Sequence, residues 1–172
     1  MKHILLIGAG RSTGSLVKYL IDNANENTWD IKIADRDFSF IKSSYFDLEY
    51  VHRIEFDVTN ETQRNTLIQS SDIVISMLPA HMHIEVAKDC ISAKKHMVTA
   101  SYVSPEMRAL ESDAKAAGVI IVNEKNGKTI NTGAGNANIR CQLSLYNFLC
   151  ANIKQPSINN NSADPTITNP QC

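Results

Sequence analysis

Ile4-Leu5-Leu6-Ile7-Gly8-Ala9-Gly10-Arg11-Ser12-Thr13-Gly14 opens the chain. Four apolar residues followed by glycine at positions 8, 10 and 14 read as a buried strand that turns into a helix starting near Ser15. Such a turn needs glycine so that the backbone can bend tightly and approach a pyrophosphate, whose charge meets the free N–H groups at the helix N-terminus. The spacing is GxGxxxG, one residue longer than the usual dinucleotide fingerprint. A tight turn without a ligand is the competing reading. Context favours binding: the motif follows the first strand, opens a helix, and is followed at the end of the second strand by Asp35, about 20 residues beyond Gly14. Gly8, Gly10, Arg11, Ser12, Thr13 and Gly14 are the candidate cofactor turn.

Outward from this turn, short apolar runs alternate with helical patterns as far as Glu124, which is how βα units of a parallel sheet look in sequence. Six strands are readable: Ile4–Ile7, Ile31–Ala34, Val51–Phe56, Ile73–Met77, Met97–Thr99 and Val119–Val122. Between them Leu16, Leu20 and Ile21, then Leu67 and Ile68, then Ile84, Val86, Ala87 and Ile91 recur at three- and four-residue steps that suit crossover helices. The expected fold is α/β, a doubly wound, right-handed, Rossmann-like parallel sheet over residues 1–124. From Lys125 the character changes: three of the five prolines, three of the four cysteines and one acidic residue, Asp164, lie there. Ile139, Leu143, Tyr146, Cys150 and Ile153 keep a helical stripe, so residues 125–154 read as an irregular segment with one helix. Residues 155–172 have the composition of a disordered tail.

Composition narrows the function. The 172 residues suit about one domain, 17 basic against 18 acidic residues give a net charge of −1, and apolar residues make up 43%. This excludes a strongly basic nucleic-acid binder and a wholly disordered chain. No run approaches the roughly 18 apolar residues of a membrane helix, and the apolar start is too short for a signal peptide, so the expected location is cytoplasmic. Cysteines at 90, 141, 150 and 172 show neither zinc spacing nor a disulfide framework.

Asp35 suits the ribose hydroxyls of an adenosine, whereas Arg36 suits a 2′-phosphate. NAD and NADP both stay open, with a lean to NAD; a solvated Asp-Arg-Asp loop at 35–37 is the plain alternative. Asp57 and Val58 follow the third strand where adenine contacts arise, although an exposed strand-end aspartate explains Asp57 as well. Met77, Leu78 and Pro79 end the fourth strand beside the crevice and suit the nicotinamide half. His81 and His83, two apart at a helix start, point to different faces and do not make a metal site; for His81 a plain helix-start histidine is favoured over a polar group in the crevice. Ser101 and Tyr102 lie at the carboxyl edge of strand five, and Ser104-Pro105-Glu106 reads as a helix cap. Gly127-Lys128-Thr129 lacks the first glycine of a phosphate loop, and Gly133-Ala134-Gly135 lacks a strand before it.

These residues, with Ser71-Asp72-Ile73-Val74-Ile75-Ser76-Met77-Leu78-Pro79, Met97-Val98-Thr99-Ala100-Ser101-Tyr102 and Gly118-Val119-Ile120-Ile121-Val122-Asn123-Glu124, resemble the N-terminal cofactor-binding domain of the saccharopine dehydrogenase (saccharopine reductase) family over residues 1–124. The resemblance implies a nicotinamide-dependent oxidoreductase acting on a C–N bond of an amino-acid conjugate in lysine metabolism. It implies that Gly8, Gly10, Gly14, Asp35, Asp57 and Pro79 border the cofactor and that Ser101 and Tyr102 approach a small amino-acid substrate. Family members continue into a substrate-binding and dimerisation domain, whereas this chain departs at Lys125-Asn126-Gly127. The expectation is a truncated or split form that works as a homo-oligomer or with a separate substrate domain. The alternative is a non-enzymatic dinucleotide sensor or docking module.

Overall fold

β1 (Lys2–Ile7) is buried on both faces from Ile4 to Ile7, which is why it reads as a continuous apolar run and not as an alternation. In the computed structural model, which describes residues 1–124, it pairs in parallel with β2 (Trp29–Asp35) on one side and β4 (Ile73–Ser76) on the other. The sheet continues to β3 (Val51–Glu55), β5 (His96–Tyr102) and β6 (Ile121–Glu124) in the order β3-β2-β1-β4-β5-β6, all parallel. This is the doubly wound α/β arrangement expected from the sequence, with its switch point between β1 and β4.

Alternate residues of β1 supply two cores. Ile4 and Leu6 face α1 (Gly14–Asn27) through Leu16, Val17 and Leu20. Leu5 and Ile7 join the opposite core with Ile68 of α2 (Glu61–Gln69) and Val86, Ala87 and Cys90 of α3 (His83–Ser92). The β2–β3 crossover holds only a short 3-10 turn, Ser43–Asp47, and seals its face with Phe38 and Ile41. Arg64 of α2 is buried; it pairs with Asp89 of α3 and donates to the Val58 carbonyl (2.6 Å), fixing the loop after β3.

Most strand ends differ from the expected ranges by one to three residues, and two of these differences have a structural consequence. β5 runs three residues past Thr99, with a register shift between Val98 and Tyr102, so Ser101 and Tyr102 are strand residues at its carboxyl end. β6 starts at Ile121 and not at Val119, because Val119 closes the end of α5 (Glu111–Ala117). Gly118 takes φ +70°, its N–H reaches the Lys115 carbonyl (3.1 Å), and the Val119 N–H reaches that of Ala114 (2.8 Å). The expected helix start is present: Ser104 Oγ accepts from the Met107 N–H (3.2 Å), with Pro105 opening α4 (Pro105–Ala109). No helix among the described residues is long and apolar enough to cross a membrane. The expectations for 125–154 and 155–172, and for the two late glycine motifs, lie outside the described residues.

Candidate functional site

The carboxyl ends of β1, β2 and β4 meet around the glycine turn. Gly8 has φ +102°, and a Cβ placed on it would sit 2.9 Å from the Met77 carbonyl carbon and 3.0 Å from its oxygen. Only glycine lets β1 and β4 come this close. Gly10 has open space where a side chain would project, and Gly14 meets only the Phe40 carbonyl, at 3.9 Å. The three glycines thus differ: the first is required by the protein itself, and the second leaves a free approach to the backbone. At α1 no side chain caps the N-terminus and no acidic residue occupies the first turn. The Thr13 hydroxyl is buried with no hydrogen-bond partner among the described residues. An open backbone approach, an uncapped helix start and an orphaned hydroxyl fit an oxyanion group such as a pyrophosphate.

Asp35 ends β2 and faces this turn. Its Oδ2 accepts from the Ala9 N–H (2.5 Å), and its Oδ1 accepts from the Arg36 N–H (2.6 Å) and the Asp37 N–H (3.0 Å). Beside it lies a cleft of about 180 Å³, between Asp35 and Arg36 after β2, Phe56 and Val58 after β3, and Leu78, Pro79 and Met82 after β4. The structure therefore brings Asp35, Arg36, Val58, Leu78 and Pro79 together, and adds Phe56 and Met82, which sequence reasoning did not single out. Asp57 stays outside this lining. Its carboxylate accepts from the Thr59 N–H (2.9 Å) and hydroxyl (2.7 Å), which hold it below the ordinary carboxylate pKa.

Across the switch point, His83 opens α3 with 1% of its surface exposed. Its Nδ1 lies 2.8 Å from Ser76 Oγ, and its Nε2 lies 2.7 Å from Ser101 Oγ and 3.0 Å from Thr99 Oγ1. Burial, with His81 nearby, pushes the imidazole down to about 4. His81, just before α3, is exposed, whereas the buried role of His83 is one that sequence reasoning missed. A signal was present: His83, Val86, Ala87 and Cys90 are spaced i, i+3, i+4, i+7, and these are the buried positions of α3, whereas Ile84 and Ile91 are half-buried. Ser101 is half-buried and Tyr102 is 59% exposed. A larger apolar cavity of about 480 Å³ lies at the β6 edge among Met107, Leu110, Ala114 and Val119 to Ile121; its walls include none of the turn residues.

Residues 4–122 match the model of the saccharopine dehydrogenase NADP binding domain. The saccharopine dehydrogenase [NADP(+), L-glutamate-forming] of Pyricularia oryzae is 33% identical over 123 residues, 72% of this chain and 26% of that one. The mitochondrial alpha-aminoadipic semialdehyde synthase of Rattus norvegicus is 34% identical over 128 residues, 72% of this chain and 13% of that one. Among solved structures, apo saccharopine dehydrogenase (L-Glu forming) from Saccharomyces cerevisiae superposes with a TM-score of 0.63 at 28% identity, over 72% of this chain and 27% of that one. The chain thus spans about a quarter or less of the length of these relatives. The lean to NAD finds no support in these matches, since the family model is that of an NADP domain. With its 3-2-1-4-5-6 sheet, its glycine turn and this match over most of its length, the chain belongs to the saccharopine dehydrogenase NADP-binding domain family.

Proposed function

We propose that this chain holds NADP for an oxidoreductase that makes or breaks a carbon–nitrogen bond of a saccharopine-type amino-acid conjugate in lysine metabolism. The observation that carries this reading is the turn itself, where Gly10 is open, α1 is uncapped and Thr13 is orphaned beside the Asp35–Arg36 cleft. When bound, the cofactor supplies a hydride donor or acceptor at its nicotinamide ring. The chain's own residues place it. Gly10, Arg11, Ser12 and the start of α1 receive the pyrophosphate; Phe56, Val58 and Leu78 flank the adenosine; Met77 and Pro79 lead to the crevice where Ser101 and Tyr102 meet the amino-acid substrate.

The choice of NADP has a physical rationale at residues 35 and 36. Asp35 directs its carboxylate to three backbone N–H groups, and the exposed Arg36 stands at the cleft rim where a 2′-phosphate would sit. Titration calorimetry with NADP⁺ and NAD⁺ tests this. Arg36→Ala is expected to weaken NADP⁺ by about 10- to 100-fold, the worth of a charge-assisted contact, and to leave NAD⁺ unchanged. Equal losses for both cofactors would place the phosphate elsewhere. Hydride transfer to NADP⁺ from saccharopine, measured for the chain alone and mixed with the remainder of the Pyricularia oryzae enzyme, tests the catalytic half. Turnover in the mixture supports a split oxidoreductase; none in either supports a dinucleotide-binding module without catalysis.

A further inference from the structure

His83 joins two strands through three hydroxyls whose exposures differ. Ser76 on β4 and Thr99 on β5 are register partners and are buried, at 0% and 3% exposure. Ser101 lies two residues further along β5, on the same face as Thr99, and is half-buried. It is held twice: its N–H donates to Thr99 Oγ1 (3.2 Å), and its Oγ lies 2.7 Å from His83 Nε2. A neutral imidazole has one donor nitrogen and one acceptor nitrogen, so Ser76 and the Thr99–Ser101 side take opposite parts in the network. The Nδ1 end is closed off in the core. Only the Nε2 end reaches a hydroxyl on a half-buried residue.

We propose that His83 is a positioning residue that fixes the Ser101 hydroxyl at the carboxyl edge of β5, where it meets a polar group of the amino-acid substrate. This rests on the reading above that Ser101 faces substrate. An imidazole suits the task because the buried ring stays neutral around pH 7, so it orients the hydroxyl without adding a charge beside the carboxylates and amines of an amino acid. A histidine serving only to tie α3 to β4 would need Nδ1 and Ser76 alone.

Two variants separate these roles. In His83→Gln the amide reaches as far as Nε2 and gives up Ser76; in His83→Asn it reaches only the Nδ1 position and gives up Ser101. The readout is the Ser101 side-chain rotamer, from Hα–Hβ couplings in the chain labelled at serine. The unmodified chain and His83→Gln are expected to show one rotamer, and His83→Asn to average over several. A fixed rotamer in His83→Asn, or averaging in His83→Gln, overturns the proposal. Ser101→Ala, which leaves the core intact, is the check that does not depend on those variants folding. It is expected to shift the His83 Nε2 resonance more than Nδ1 in histidine ¹⁵N spectra, and the reverse order also overturns the proposal. NADP⁺ titration of the unmodified sample reads the cofactor assignment separately: a failure to bind sinks that assignment and leaves the rotamer pattern as it was.

Discussion

Asp35 and His83 perform similar mechanical tasks on either side of the switch point with opposite electrostatics. Asp35 ties β2 to the glycine turn through backbone N–H groups at a half-buried position. His83 ties α3 to β4 and β5 through hydroxyls and is almost wholly buried. At the first position three N–H donors face the side chain; at the second, only an uncharged ring avoids the cost of burying an ion. The β2 side of this edge is thus held through backbone N–H donors, and the β4–β5 side through hydroxyls around a neutral ring.

Gly8 is the hinge between the two sides, and its replacement should have the largest effect. Gly8→Ala forces a positive-φ conformation on a Cβ that also collides with the Met77 backbone. A loss of about 3 kcal/mol or more is expected, or roughly 10–20 °C in Tm by calorimetry. Gly10→Val, in open space, should leave Tm unchanged and abolish NADP⁺ binding; if the two variants unfold alike, the division of labour among the glycines is wrong.

Removing the charged member of the pair is expected to cost less. Asp35→Ala leaves three N–H groups without their acceptor, and about 2 kcal/mol should be lost in urea unfolding, with faster amide exchange at Ala9. Exchange at Ala9 equal to the parent would show that the carboxylate does not hold the turn.

Acid separates the neutral member from the charged one. The unfolded histidine takes up its proton near 6.5, and the folded one near 4. Its contribution to stability is therefore complete above pH 6.5, declines as the pH falls from 6.5 to 4, and levels off below. Asp30, which accepts from His52 (2.6 Å) and His3 (3.1 Å), acts lower: burial raises its pKa, the two histidine contacts outweigh this, and the net shift is below 3.8. Its share is lost only in stronger acid. Urea midpoints measured across pH 4–6.5 should fall more steeply in the parent than in His83→Gln, where only the carboxylates still contribute; parallel curves would show that His83 protonates freely in the fold.

The smallest effect is expected at Asp57, which serves its own turn. Asp57→Asn should keep NADP⁺ affinity within about twofold of the parent, and a tenfold loss would put its carboxylate on the adenosine after all.

The sequence by itself determined the sheet, because strands buried on both faces must be apolar throughout and glycine must follow where β1 turns into α1. It also determined the cap at Ser104 and, at Asp35, Arg36, Val58, Leu78 and Pro79, part of the cleft's border, since the strand order of such a sheet places the ends of β2, β3 and β4 side by side; Phe56 and Met82 were not legible there, and Asp57 lies outside the lining. Tertiary structure alone decided what those residues touch. That the Asp35 carboxylate turns to Ala9, that Gly8 is needed for the approach of Met77, and that His83 is closed inside a ring of hydroxyls from β4 and β5 are contacts across 26, 69 and up to 18 residues of chain. Local periodicity assigns a residue to a face; the partner on that face is supplied by packing between elements distant in the chain.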